Sequence, residues 1–103
     1  MEKGSFNYPD GTYEGASDLY DWEGYVRVSL TLKNGYITHV EFEETIRDGT
    51  VRTPESWPYP WWIEAHEELP KRVLETQNLS VDIVTGASVT SRRFNQAMER
   101  VFP

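Results

Sequence analysis

Ahead of Arg93 the chain carries a run of small and hydroxylated residues, Thr85-Gly86-Ala87-Ser88-Val89-Thr90-Ser91, closed by Arg92. Such a run suits a phosphate. Gly86 and Ala87 are small enough to let a ligand approach the backbone closely. Phe94, Ala97, Met98 and Val101 follow at i, i+3, i+4 and i+7, which predicts an amphipathic helix starting near Ser88. The first amides of that helix lack carbonyl partners and carry partial positive charge, so they favour an anion. Ser91 and Arg92 lie three and four residues beyond Ser88, on its face. Side chains lean toward a helix N-terminus, which lets Arg92 reach back to a phosphate near Ser88. A simpler reading competes with this one. Ser and Thr are the usual helix caps, and the local pattern alone favours Thr85 or Ser88 as a cap.

The elements that must position this run are legible in part. Val81-Asp82-Ile83-Val84 reads as a short strand leading into it. Upstream, Val26, Val28, Leu30 and Leu32 alternate with Arg27, Ser29 and Thr31, the pattern of a half-buried strand. Lys33-Asn34-Gly35 then turns the chain into Tyr36-Ile37-Thr38-His39-Val40-Glu41-Phe42. A two-residue Asn34-Gly35 loop would pair Leu32 with Ile37 and Leu30 with His39, turning Val40 and Phe42 to the wrong face. A three-residue loop pairs Leu32 with Tyr36, Val28 with Val40 and Val26 with Phe42, and is the expected register. Pro9-Asp10-Gly11 signals a turn before a first strand over Thr12–Ala16. Gly49, Pro54, Pro58 and Pro60 forbid a long regular element between residues 44 and 62. Helices are expected over Trp62–Leu69 and, with Pro70 in the first turn, over Pro70–Gln77, with Asn78 as the stop. The fold class is therefore α+β: one small domain over residues 10–103, its antiparallel sheet built on a central hairpin and packed by two to three helices, after a loose lead-in over 1–9.

Four aromatics crowd the irregular stretch. An indole buries a large area, so Trp61 and Trp62 are expected in the core, while Trp57 and Tyr59 are equally suited to core or ligand. His39 falls on the polar side of its strand. His66 sits beside Glu64, Glu67 and Glu68, without the convergence a metal site needs. No Ser-His-Asp set or isolated carboxylate pair has a spacing that points to hydrolysis.

Composition excludes several classes. A net charge of −7, with ten Lys and Arg among 103 residues, leaves no basic surface for nucleic acid or an anionic membrane. No run of about 18 apolar residues is present to span a bilayer. Membrane association is therefore expected only through a segment outside this chain. Met1 to Asp10 lacks the apolar core of a signal peptide. The chain holds no cysteine, so disulfides and thiolate chemistry are excluded and any redox role requires a bound cofactor.

Asp82-x-x-Thr85-Gly86-Ala87-Ser88, with Val89-Thr90-Ser91 after it, resembles the flavinylation motif of the FMN-binding domain family. That family includes the flavin-carrying subunits of sodium-translocating quinone reductases and related bacterial electron-transfer proteins. Asp10-Gly11-Thr12-Tyr13-Glu14-Gly15 resembles the family's opening strand, and Val28 to Val40 its hairpin. Leu69-Pro70-Lys71-Arg72-Val73-Leu74-Glu75-Thr76-Gln77 resembles the helix before the motif. The resemblance implies FMN as cofactor, attached through its phosphate to Ser88 by a separate flavin transferase that recognises Asp82, Thr85, Gly86 and Ala87. It also implies redox partner proteins and an extracytoplasmic location. Two features depart from the family. Ser88 stands where Thr is the commoner acceptor, and Glu44 to Trp62 replaces a Gly-rich, Glu-Thr-Pro-Gly-like segment. The alternatives are non-covalent FMN at the same helix end, or a non-redox module whose aromatic loop grips a sugar or a partner protein.

Overall fold

A computed structural model describes residues 4–18, 24–46, 49–53 and 55–102. Three antiparallel strands, β1 (Gly11–Ala16), β2 (Tyr25–Lys33) and β3 (Tyr36–Thr45), form a sheet in that order, followed by helices α1 (Pro60–Thr76) and α2 (Ser88–Glu99). This is the α+β architecture expected. Helix α1 packs on β3, and α2 lies across β2 and β1. Between the layers sit Val26, Val28, Leu30, Leu32, Val40 and Phe42 of the sheet with Leu69, Val73, Phe94, Ala97 and Met98 of the helices. No described helix is long and apolar enough to cross a membrane.

The hairpin register differs from the expected one. Lys33 pairs with Tyr36 and Leu32 with Ile37, so the loop is the two-residue Asn34-Gly35. Both residues have positive φ, 52° and 78°, as a type I′ turn requires. The register then shifts: Thr31 faces His39, Leu30 faces Val40 and Val28 faces Phe42. One extra residue, Thr38, is absorbed as a β-bulge. That bulge returns Val40 and Phe42 to the buried face, which removes the objection to the short loop. Residues 4–8 contact the hairpin and the C-terminal end of the described chain. The Gly4 and Phe6 amides donate to the carbonyls of Asn34 and Gly35 at 2.8 and 3.1 Å, and Tyr8 stacks on Phe102 with centroids 4.2 Å apart.

Helix α1 is a single element where two were expected, and Pro70 lies inside it. The proline removes one backbone donor and crowds the preceding turn, at a cost of about 3 kcal/mol. The stripe Trp62, Ala65, Leu69 and Val73 runs continuously past it, all buried. Each large apolar side chain buried there contributes about 1.5–3 kcal/mol, so the stripe outweighs the break. The helix ends at Gln77, in the left-handed conformation with φ 58°, one residue before the expected stop. The Gln77 side chain accepts from the Ile37 amide at 2.7 Å and donates to the Ile37 carbonyl at 3.0 Å, covering the open edge of β3.

Residues 81–84 take no regular structure and join no sheet, so the short strand expected there is absent. Side chains of α2 take the place of a partner strand. Asn95 accepts from the Val81 amide at 3.0 Å and donates to the Val81 carbonyl at 2.9 Å. At the opposite end of α2, Arg100 donates to Asp18 at 2.8 Å. Its hydrogen bond and its charge hold the Asp18 carboxyl below the ordinary aspartate value. That contact therefore stabilises the fold above the ordinary aspartate pKa and is lost as pH falls through the lower folded value. Asn95→Ala leaves two backbone groups of Val81 without their partner. It is expected to lower stability by about 2 kcal/mol and Tm by roughly 8 °C, measured by thermal melting followed by circular dichroism.

Candidate functional site

The inward parity of β3 carries Val40, Phe42 and then Glu44 to the core side of the sheet. Glu44 is fully buried. A carboxylate there is tolerable only if its oxygens are saturated with donors. Arg52 Nη1 and Trp62 Nε1 donate to Oε1 at 2.8 and 2.9 Å. The Thr90 hydroxyl lies 3.1 Å from both oxygens, and Arg93 Nη1 donates to Oε2 at 3.3 Å. Strand β3, the loop after it, α1 and α2 thus converge on one anion. Neither Glu44 nor Arg52 was singled out as a site residue from sequence. The signal for Glu44 was its parity with Val40 and Phe42; for Arg52 no sequence signal existed.

Beside this cluster lies a concavity of about 290 Å³. Arg52, Trp57, Tyr59, Trp61 and Trp62 line it together with Gly86 to Thr90. The structure therefore brings Gly86, Ala87, Ser88 and Thr90 to a common space. Ser88 is exposed, at the first position of α2. The other four sequence-selected residues lie elsewhere. Asp82 and Thr85 are exposed and outside the concavity, and the Asp82 carbonyl accepts from Arg72 at 2.9 Å. Ser91 is fully buried: its hydroxyl accepts from the Val84 amide at 3.0 Å and donates to the Ala87 carbonyl at 2.8 Å. It shapes the turn from within. Arg92 is exposed and does not line the concavity, whereas its neighbour Arg93 is buried against Glu44.

The capping role considered for Thr85 or Ser88 is not filled by either. The residue at the cap position is Ala87, and no side chain caps the helix. The first-turn amides of α2 therefore keep their capacity for an anion beside the Ser88 hydroxyl. Gly86 has φ 86°, and a Cβ there would overlap the Trp61 indole. Its lack of a side chain admits that ring against the turn.

Of the two tryptophans expected in the core, Trp62 is buried and Trp61 is 55% exposed. Adjacent helical residues point about 100° apart, so only one of the pair can face the sheet. Trp57 is half-buried, with the Arg52 guanidinium carbon 4.0 Å from its ring centroid. Its ring is tilted 58° to that of Tyr59, which does not make the flat paired platform a sugar would stack on. His66 lies between the rings of Phe42 and Trp62, at 4.8 and 5.0 Å, a packing position. His39 is exposed on the outer face of the sheet.

The family model for the FMN-binding domain matches residues 21–102. The chain belongs to the FMN-binding domain family, and FMN is its cofactor. Two solved structures share the fold. One is a crystal structure of a Clostridium perfringens protein, 21% identical, with a TM-score of 0.71, covering 89% of this chain and 84% of that one. The other is a solution structure of a Clostridium thermocellum protein, 19% identical, with a TM-score of 0.61, covering 89% and 88% of the two chains. No curated protein matches the chain at a significant level.

The residues present fit the cofactor on the structure's own terms. Arg52 Nε is buried without a hydrogen-bond partner among the described residues, and exposed aromatic surface flanks an uncapped helix end. The α2 amides and Ser88 suit a phosphate, and Trp57, Tyr59 and Trp61 suit a flat conjugated ring. Glu44→Gln removes the charge that both arginines share and is expected to cost about 3 kcal/mol, read from urea unfolding. Gly86→Ala forces a side chain into the left-handed region and against Trp61. A loss of more than about 1 kcal/mol is expected, together with a shift of tryptophan emission as that indole is displaced.

Proposed function

We propose that this domain is an electron-transfer carrier whose FMN is joined through its phosphate to the Ser88 hydroxyl. The observation that carries this reading is the position of that hydroxyl. It is exposed, it opens a helix with no side-chain cap, and it borders a concavity with aromatic walls. A separate flavin transferase forms the bond from FAD. Ser88 Oγ attacks the FMN phosphorus, the pyrophosphate bond breaks, AMP leaves, and the hydroxyl proton passes to a base of the transferase or to solvent. The α2 amides stabilise the charge left on the phosphodiester. Asp82 and Thr85 are exposed and outside the concavity, which suits residues read by the transferase rather than by the cofactor.

The flavin supplies one- and two-electron chemistry, and the protein supplies attachment, orientation and electrostatics. The domain passes electrons between redox proteins and has no organic substrate of its own. Its location is extracytoplasmic or membrane-associated.

The test is the intact mass of the denatured chain after co-expression with a flavin transferase. The expected gain is one FMN less one water, absent in Ser88→Ala. Because Ser88 is exposed, that variant should melt within about 0.5 kcal/mol of the parent. An unchanged mass where a control domain is flavinylated overturns the covalent reading.

A further inference from the structure

Arg52 stands outside the hydroxylated motif, and three contacts fix its side chain. Its backbone amide donates to the Glu44 carbonyl at 2.8 Å, so the side chain starts beside the buried acid. Nη1 then donates to Glu44 Oε1, also at 2.8 Å, and the guanidinium carbon lies over the Trp57 ring. Two further facts leave this cation incompletely satisfied. Nε is buried with no hydrogen-bond partner among the described residues. The carboxylate beside it also contacts Arg93, so Arg52 does not hold it alone. A guanidinium keeps its charge at all working pH values, and in a partly desolvated site that charge acts at fuller strength than in water.

This cation lines the same concavity as Ser88. Its guanidinium carbon lies 4.0 Å from the Trp57 ring centroid, among the aromatic residues of that lining. The α2 amides and Ser88 suit a phosphate, and a flat ring suits the aromatic residues against which Arg52 lies. We propose that Arg52 makes the bound FMN easier to reduce, by facing the ring with positive charge held in place by Glu44 and Trp57. The inference rests on the reading that FMN occupies the concavity beside Ser88. Reduction by dithionite delivers two electrons while solvent supplies one proton, so the ring gains one negative charge. A fixed cation stabilises that state over the neutral oxidised ring. Arg52 is thus a tuning residue; the electron transfer itself remains the flavin's chemistry.

The test compares the parent, Arg52→Lys and Arg52→Gln. Each is loaded by co-expression with a flavin transferase, or by incubation with FMN where the mass reveals no ester. Failure of Ser88 attachment and failure of the Arg52 assignment are then read separately. Dithionite titration against a reference dye gives each midpoint potential. In Arg52→Gln the preference for the reduced over the oxidised cofactor is expected to fall about tenfold, a drop of about 30 mV for a two-electron couple. Arg52→Lys, which keeps the charge, is expected to stay near the parent. A parent-like potential in Arg52→Gln overturns the proposal. So does an equal drop in Arg52→Lys, because packing rather than charge would then be the cause. The parent supplies a measurement that needs no variant: its midpoint is expected above that of free FMN, and a value at or below free FMN overturns the proposal as well.

Discussion

The Glu44 carboxylate is the point on which the site depends. An ion taken out of water costs several kcal/mol, and only a full set of donors offsets it. Those donors come from everywhere the site needs to be joined: Arg52 from the loop after β3, Trp62 from α1, Thr90 and Arg93 from α2. None is adjacent to Glu44 in sequence, and Arg93 lies 49 residues away. Moving any one element withdraws a donor from a buried anion, so the acid couples the positions of all of them. Thr90 is two residues beyond Ser88, which places the first turn of α2 under this control directly.

The turn that presents Ser88 is held by a second, smaller set of interactions. Ser91 bridges the Val84 amide and the Ala87 carbonyl from the buried side. Asn95 supplies the hydrogen bonds a neighbouring strand would otherwise give to Val81. Gly86 leaves room for the Trp61 ring. The hydroxyls that seem alike in sequence therefore do different work. Ser88 faces outward, Thr90 binds the buried acid, and Ser91 is spent on the backbone. A helix end can be left uncapped in this way because the polar groups behind it are satisfied internally.

The two main departures from the expected fold have one kind of cause. Strict alternation argued against the short Asn34-Gly35 loop and Pro70 argued against one long helix, and in both cases the buried face was kept by another route. A strict period of two forbade the short hairpin loop, yet one bulged residue at Thr38 restored the buried face of β3. A proline forbade a continuous α1, yet the apolar stripe on either side of Pro70 buries against the sheet and keeps the helix whole.

What the sequence determined by itself was local and periodic: the alternation of β2, the apolar face of α2, and small and hydroxylated residues at the start of a helix. Those follow from backbone geometry and side-chain size, which neighbours in the chain fully specify. What only the tertiary structure decided was which of those residues share a space. Gly86, Ala87, Ser88 and Thr90 border the concavity, while Asp82, Thr85, Ser91 and Arg92 do not. Arg52, Trp57 and Tyr59 reach it from a loop with no readable period. Their place is set by a single carboxylate that must be surrounded once it is buried, and that requirement acts through space rather than along the chain.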